Sequence, residues 1–201
     1  MTDHSIKIGD KIYHYRCLHE EGQVYDFKLP FLIEQELNDW TDICRGVKDH
    51  PLADLKAHHN AGYLGADNIK HNSYQCSVPP NNIDTSYFLP FILRIVTAAF
   101  GGKDRDYRLR RWPGHYGHYD MWANFAYKGD DNPVHNHSGY VSGVIYVEND
   151  DTPTCFKDLD IQYAGRHGDV IMFPSKTMHY VTEKQTECER VTYAFNIERP
   201  G

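Results

Sequence analysis

The sequence predicts an α+β chain, mainly β, with packing helices first and an antiparallel β-sandwich or barrel after them. Three observations carry this. Two amphipathic runs lie in the first half, the pattern changes at Tyr107 to short β-branched and aromatic runs, and Pro, Gly, Asn and Asp punctuate those runs. At 201 residues with 40% hydrophobic content, the chain is expected to form a single domain (1–201). Residues 1–106 would be a helical and loop elaboration, and 107–201 the β core.

The first helix is expected over about 31–46, where Ile33, Leu37, Trp40 and Cys44 recur every three to four residues and so share one face. Residues 51–82, rich in Asn, His, Gly and Pro, read as loops with room for one short turn of helix, and could form part of a lid. A second helix follows the capping residues Asp84 to Ser86, with Phe88, Phe91, Ile92, Ile95 and Ala99 on its apolar face. Pro90 falls in its first turn, and Gly101-Gly102 stops it. Strands are expected at 107–112, 120–127, 140–147, 154–159, 169–173 and 190–197. A ligand cavity would lie between the sheets they form.

Charge and cysteine content narrow the function classes. With 21 Lys+Arg against 28 Asp+Glu, the net charge of -7 makes the chain a poor partner for nucleic acid or an anionic membrane. Lys103, Arg105, Arg108, Arg110 and Arg111 form a local exception, readable either as a receiver for an acidic substrate or as a solvated basic edge. Cys17, Cys44, Cys76, Cys155 and Cys188 show no framework spacing. Free thiols in a reducing, cytoplasmic setting are expected, with no signal peptide and no membrane span.

The chemistry-bearing pattern is His135-Asn-His137, then a β-rich run, then Gly168 to Pro174, His179 and finally Arg190. Residues two apart on an extended backbone face the same way, so His135 and His137 can converge on one point. His179, following a second turn-glycine strand, can bring a third imidazole from a neighbouring strand. With 13 histidines in the chain, composition alone yields roughly one His-x-His pair. What lifts this pair is the second strand unit that delivers a histidine and the arginine beyond it. Imidazole suits iron, copper, zinc and nickel alike, so residue type does not choose the metal.

The stretch Trp122-Ala-Asn124, Gly129, His135-Asn-His137, Ser142-Gly-Val-Ile-Tyr146-Val, Gly168 to Pro174, His179 and Arg190-Val-Thr192 to Asn196 resembles the 2-oxoglutarate/Fe(II)-dependent dioxygenase superfamily, specifically its small bacterial and phage-type members. The resemblance implies a double-stranded β-helix, jelly-roll or cupin-like, carrying the metal site. His135 and His179 would ligate Fe(II), and Arg190 would grip the distal carboxylate of 2-oxoglutarate, with Thr192 adding a hydroxyl. Asn124 matches an asparagine that contacts the cosubstrate in related enzymes. The implied activity is oxidation of a small-molecule or peptide substrate with release of succinate and CO2. His137 stands where most of the superfamily has Asp or Glu; either it ligates directly, the preferred reading, or Asp130 or Asp131 replaces it.

Two other functions remain open from the sequence. A cupin-type three-histidine dioxygenase or isomerase would need no 2-oxoglutarate, and a β-sandwich binding module would keep the histidines without redox chemistry. Arg190 separates the first from the leading reading, because a cupin has no particular use for Arg-x-Thr on its last strand. The substrate would be chosen by residues 51–82 and 103–120, including an entrance formed by His115, Tyr116, His118 and Tyr119. A homodimer is left open.

Overall fold

Helix α1 (Phe31–Lys48) lays Ile33, Leu37, Trp40 and Cys44 against the core, each nearly inaccessible, as their spacing requires. A computed structural model describes residues 1–48, 73–78, 80–111 and 119–200. Three strands precede α1: β1 (Thr2–Ile8), β2 (Lys11–His19) and β3 (Val24–Lys28). The sequence reading places no strand here, so the expected helical and loop character of 1–106 is corrected at its start. The cause is local: Gly9-Asp10 closes a two-residue hairpin, with Ile8 opposite Lys11 and Gly9 at φ 62°. Tyr13 and Tyr15 then pack on the second long helix, Tyr13 edge-on to Phe91 at 4.9 Å and the Tyr15 hydroxyl donating to the Ala98 carbonyl at 3.2 Å.

After α1 come β4 (Tyr74–Ser77), the short α2 (Pro80–Asp84) and α3 (Phe88–Phe100). The stretch 51–82 therefore contains a strand that was not expected as well as the short helical turn that was, and its residues 51–72 and 79 lie outside the described residues. The cap of α3 differs in detail from expectation. Ser86 Oγ accepts from Leu89 N, and the Glu36 carboxylate of α1 accepts from Tyr87 N and Phe88 N, so a carboxylate from another helix serves the helix N-terminus. Gly101 and Gly102, at φ 77° and 92°, end it.

The remaining elements are a 3-10 turn at Asp104–Asp106, β5 (Arg108–Leu109), β6 (Met121–Ala126), β7 (Asn132–His135), β8 (Val141–Glu148), β9 (Thr154–Phe156), β10 (Ile161–Tyr163), β11 (Asp169–Pro174), β12 (His179–Val181) and β13 (Arg190–Glu198). Two antiparallel sheets result. The larger runs β1-β2-β3-β11-β8-β13-β6-β4, with β5 also on β13; the smaller runs β10-β9-β12-β7. This is a double-stranded β-helix.

The central strands of the larger sheet are buried on both faces, which explains why they read as apolar runs rather than as alternation. One face, carrying Val191, Tyr193, Phe195, Ile197, Met121, Ala123, Phe125, Ile145 and Met172, joins the helices in the main core. Gly143 belongs there because a Cβ would sit 2.2 Å from the Phe195 ring. The other face looks toward the smaller sheet, and Val144, Tyr146, Ile171 and Phe173 pack there with Phe156 of β9. On this face β13 contributes Arg190, Thr192 and Asn196, all buried and all polar. Polar groups so placed need partners, and they mark the site.

Candidate active site

His135 ends β7, His179 begins β12, and the two lie directly opposite each other in the antiparallel register. His137 follows two residues later in the segment leaving β7, and its backbone N–H donates to the Ser175 carbonyl at 2.8 Å. One ligand atom from each of the three lies within 4.8 Å of the others. Ring centroids are 4.9 Å (His135–His137), 4.3 Å (His135–His179) and 5.0 Å (His137–His179) apart. The expected convergence of three imidazoles is therefore present. Metal–imidazole bonds of about 2.0–2.1 Å bring all three within reach of one ion after small side-chain adjustments.

Two of the rings are pre-aimed in the same way. His135 Nδ1 meets the Pro133 carbonyl at 2.7 Å, and His179 Nδ1 meets the Thr177 carbonyl at 2.9 Å, each two residues earlier in the chain. A carbonyl can only accept, so Nδ1 carries the proton and Nε2 keeps its lone pair for a metal. His179 is buried between Phe173 and Phe156, with ring centroids 4.7 and 6.2 Å away. Burial, and then the neighbouring His135, push its pKa down to about 3, so it is neutral and ready to ligate at physiological pH. No carboxylate joins the cluster among the described residues. Of the two alternative third ligands, Asp130 and Asp131, neither joins the cluster, and Asp130 instead caps its own turn, its Oδ2 accepting from Tyr127 N at 2.8 Å.

Arg190 is buried, with 4% of its surface exposed, which excludes a solvated strand arginine. Its guanidinium lies 5.5 Å from the centre of the Tyr146 ring, and its Nη atoms reach Thr192 Oγ1 and Thr154 Oγ1 only at 3.4 Å, the long limit for a hydrogen bond. Among the described residues, Nε has no hydrogen-bond partner and no carboxylate forms an ion pair with the guanidinium. Asp150 adds a weak favourable field but is itself bound by Lys184 and Thr186. Desolvation lowers the Arg190 pKa from its ordinary value. The arrangement is a buried cation whose partners among the described residues are neutral hydroxyls and an aromatic ring, a donor set that a carboxylate completes.

Asn124 faces Thr192 across the β6–β13 pair, and its Oδ1 accepts from Trp122 Nε1 at 3.1 Å. Trp122 in turn lies 5.6 Å from His137. Sequence reasoning gave no role to Tyr146, Thr154 or Gly165. The Tyr146 hydroxyl donates to Thr154 Oγ1 at 2.7 Å, and its ring occupies the space a Cβ on Gly165 would need, 2.3 Å away. No local pattern announces these contacts, which join separate strands. The basic stretch resolves differently from the acidic-substrate reading: Arg108 pairs with Glu198, and Arg110 with Asp120. Tyr119 of the expected entrance is buried and hydrogen-bonds Asp84, whereas His115, Tyr116 and His118 lie outside the described residues.

Residues 157–196 match the family described as "Putative 2OG-Fe(II) oxygenase", a stretch that contains His179, Arg190 and Thr192. Among solved structures, the chain is similar to a 2OG-Fe(II) oxygenase family oxidoreductase from Burkholderia pseudomallei (15% identity, 90% of this chain and 86% of that one, TM-score 0.51). It is also similar to a prolyl-4-hydroxylase from Pseudomonas putida (15% identity, 90% and 94%, TM-score 0.54). A third is the viral collagen prolyl hydroxylase of Paramecium Bursaria Chlorella virus-1 (11% identity, 89% and 90%, TM-score 0.54). No curated protein matches the chain in sequence. The double-stranded β-helix is thus the fold of the 2-oxoglutarate-dependent oxygenases. By that fold and by the matched stretch at 157–196, the chain is similar to the 2OG-Fe(II) oxygenases.

Proposed function

We propose that Nε2 of His135, His137 and His179 holds Fe(II), that Arg190 and Thr192 bind the distal carboxylate of 2-oxoglutarate, and that Asn124 borders the cosubstrate. When bound, iron and 2-oxoglutarate supply the oxidising power, with succinate and CO2 as by-products. The chain's own residues orient and shield. The carbonyls of Pro133 and Thr177 fix two ring tautomers, and Phe156, Phe173 and Tyr146 form a dry wall that strengthens every charge interaction inside it. Thr154 Oγ1 accepts from both Tyr146 and Arg190, which leaves its own proton to donate to an incoming carboxylate.

The observation that carries this reading is Arg190, a buried guanidinium whose Nε has no hydrogen-bond partner among the described residues. Three neutral imidazoles leave the bound metal one unit more positive than two histidines and a carboxylate, which favours an anionic chelating cosubstrate. The substrate proper is a small molecule or a peptide. Five cysteines outside any disulfide support a cytoplasmic setting, and no helix among the described residues is long and apolar enough to cross a membrane.

Anaerobic titration of the apoprotein with Fe(II) and then 2-oxoglutarate tests the proposal. A visible metal-to-ligand charge-transfer band should appear on the second addition and be absent from His179→Ala. Iron binding with no optical response to the keto acid would favour the cupin-type alternative.

A further inference from the structure

His137 differs from the other two imidazoles in how it is held. His135 and His179 belong to paired strands and face each other in register, whereas His137 lies beyond the end of β7, and its segment is tied down through Ser175. His137 N donates to the Ser175 carbonyl at 2.8 Å, and Ser175 N donates to the Tyr140 carbonyl at 3.1 Å. From Ser175 a buried chain of side chains runs across the sheet. Ser175 Oγ lies 2.8 Å from Ser142 Oγ, Ser142 Oγ lies 2.5 Å from Asn196 Oδ1, and Asn196 Nδ2 donates to Asp120 Oδ2 at 2.8 Å. Arg110 closes the chain from the other side, its Nη1 donating to the same carboxylate oxygen at 2.7 Å.

Ser175 and Ser142 are 1% exposed, and Asn196 and Asp120 are 2% exposed. Four polar residues are thus inaccessible to water, and each link is directional. The amide of Asn196 donates to Asp120 and accepts from Ser142, which orients it without ambiguity and leaves Ser175 to donate to Ser142. Gly139 admits the arrangement: at φ 133°, a Cβ there would approach Ser175 Oγ and the Ile197 carbonyl to 3.0 Å. None of these side chains belongs to the histidine cluster or to the Arg190 pocket.

We infer that Asp120, Asn196, Ser142 and Ser175 are positioning residues for the third metal ligand. They fix the backbone of His137, and through it the imidazole, while His135 and His179 are aimed independently by their own carbonyls. The inference rests on the reading of His137 as a ligand. It assigns to the network an effect on metal binding that passes through one residue, which a network serving only to join the sheets would not have. Partners that orient ligands typically change metal affinity 10–100-fold when removed.

The test is a double-mutant cycle read as Co(II) affinity of the apoprotein, measured by competition with a chromophoric chelator, with thermal unfolding of each variant as the folding control. Asn196→Ala should weaken Co(II) binding at least about tenfold. In a His137→Ala background the same substitution should cost nothing further, because the ligand through which it acts is gone. Ser142→Ala, which removes a single hydroxyl, breaks the same chain and serves where Asn196→Ala does not fold. Equal losses in both backgrounds, or no loss in the wild-type background, would overturn the inference. Unchanged Co(II) affinity in His137→Ala alone would instead sink the ligand assignment and the relay with it.

Discussion

Replacing Arg190 with methionine should stabilise the apoprotein while removing its grip on 2-oxoglutarate. A guanidinium withdrawn from water without a counter-ion costs several kcal/mol. Tyr146, 5.5 Å from it, returns about 2 kcal/mol as a desolvated cation–π contact. The two threonine contacts at 3.4 Å return little. Replacing even a paired set of buried charges by apolar side chains of similar volume is often stabilising, by roughly 1–4 kcal/mol. At about 2–4 °C per kcal/mol for a chain of this length, Tm should rise by several degrees. A fork bound to a buried carboxylate is worth about 2–5 kcal/mol on truncation, so 2-oxoglutarate should bind Arg190→Met roughly 30-fold to several thousand-fold more weakly. Scanning calorimetry of the metal-free protein and isothermal titration of the Mn(II)-loaded protein measure the two effects. A fall in apoprotein Tm together with 2-oxoglutarate affinity within a few-fold of wild type would refute the reasoning, since the guanidinium would then be a structural group.

Other perturbations probe the same pocket and the histidines. Gly165→Ala puts a methyl 2.3 Å from the Tyr146 ring; overpacking of this kind costs about 1–3 kcal/mol, and displacement of the ring should also weaken 2-oxoglutarate binding, both visible in one titration series followed by melting curves. Tyr146→Phe deletes a buried hydroxyl that donates to Thr154 at 2.7 Å, and urea unfolding should show a loss of about 1–3 kcal/mol. For His179, burial holds the folded pKa at about 3 against an ordinary imidazole value of 6.5. Its stabilising contribution is complete above pH 6.5 and should fall by about 1.4 kcal/mol per pH unit as the pH drops toward 3, because only the unfolded chain takes up the proton. The apoprotein Tm should therefore decline more steeply over that range than that of His179→Gln, and parallel profiles would count against a buried neutral imidazole.

The helices were legible from periodicity. Ile33, Leu37, Trp40 and Cys44 define the buried face of α1, and Gly101-Gly102 the end of α3. The central strands β6, β8, β11 and β13 were legible as apolar runs because both their faces are covered. β1 and β2 were not, although Gly9-Asp10 is a recognisable hairpin turn, because most of their residues are polar and exposed. β7 and β12 were beyond reach for another reason: Asn132–His135 and His179–Val181 are too short to show a period, and they are strands because they pair with each other. The site divides along the same line. The histidines and Arg190 stand in recognisable motifs, but the hydroxyl of Thr154, 36 positions from Arg190, and the chain from Ser175 to Asp120 exist only once the sheets have formed.

The most direct test of the central claim is a crystal structure of the protein grown anaerobically with Mn(II) and 2-oxoglutarate, using anomalous scattering to place the ion. The ion should be bonded to His135, His137 and His179, and the distal carboxylate should fill the fork of Arg190 beside Thr192. An ion bound elsewhere, or a keto acid that leaves the guanidinium unpaired, would contradict the account.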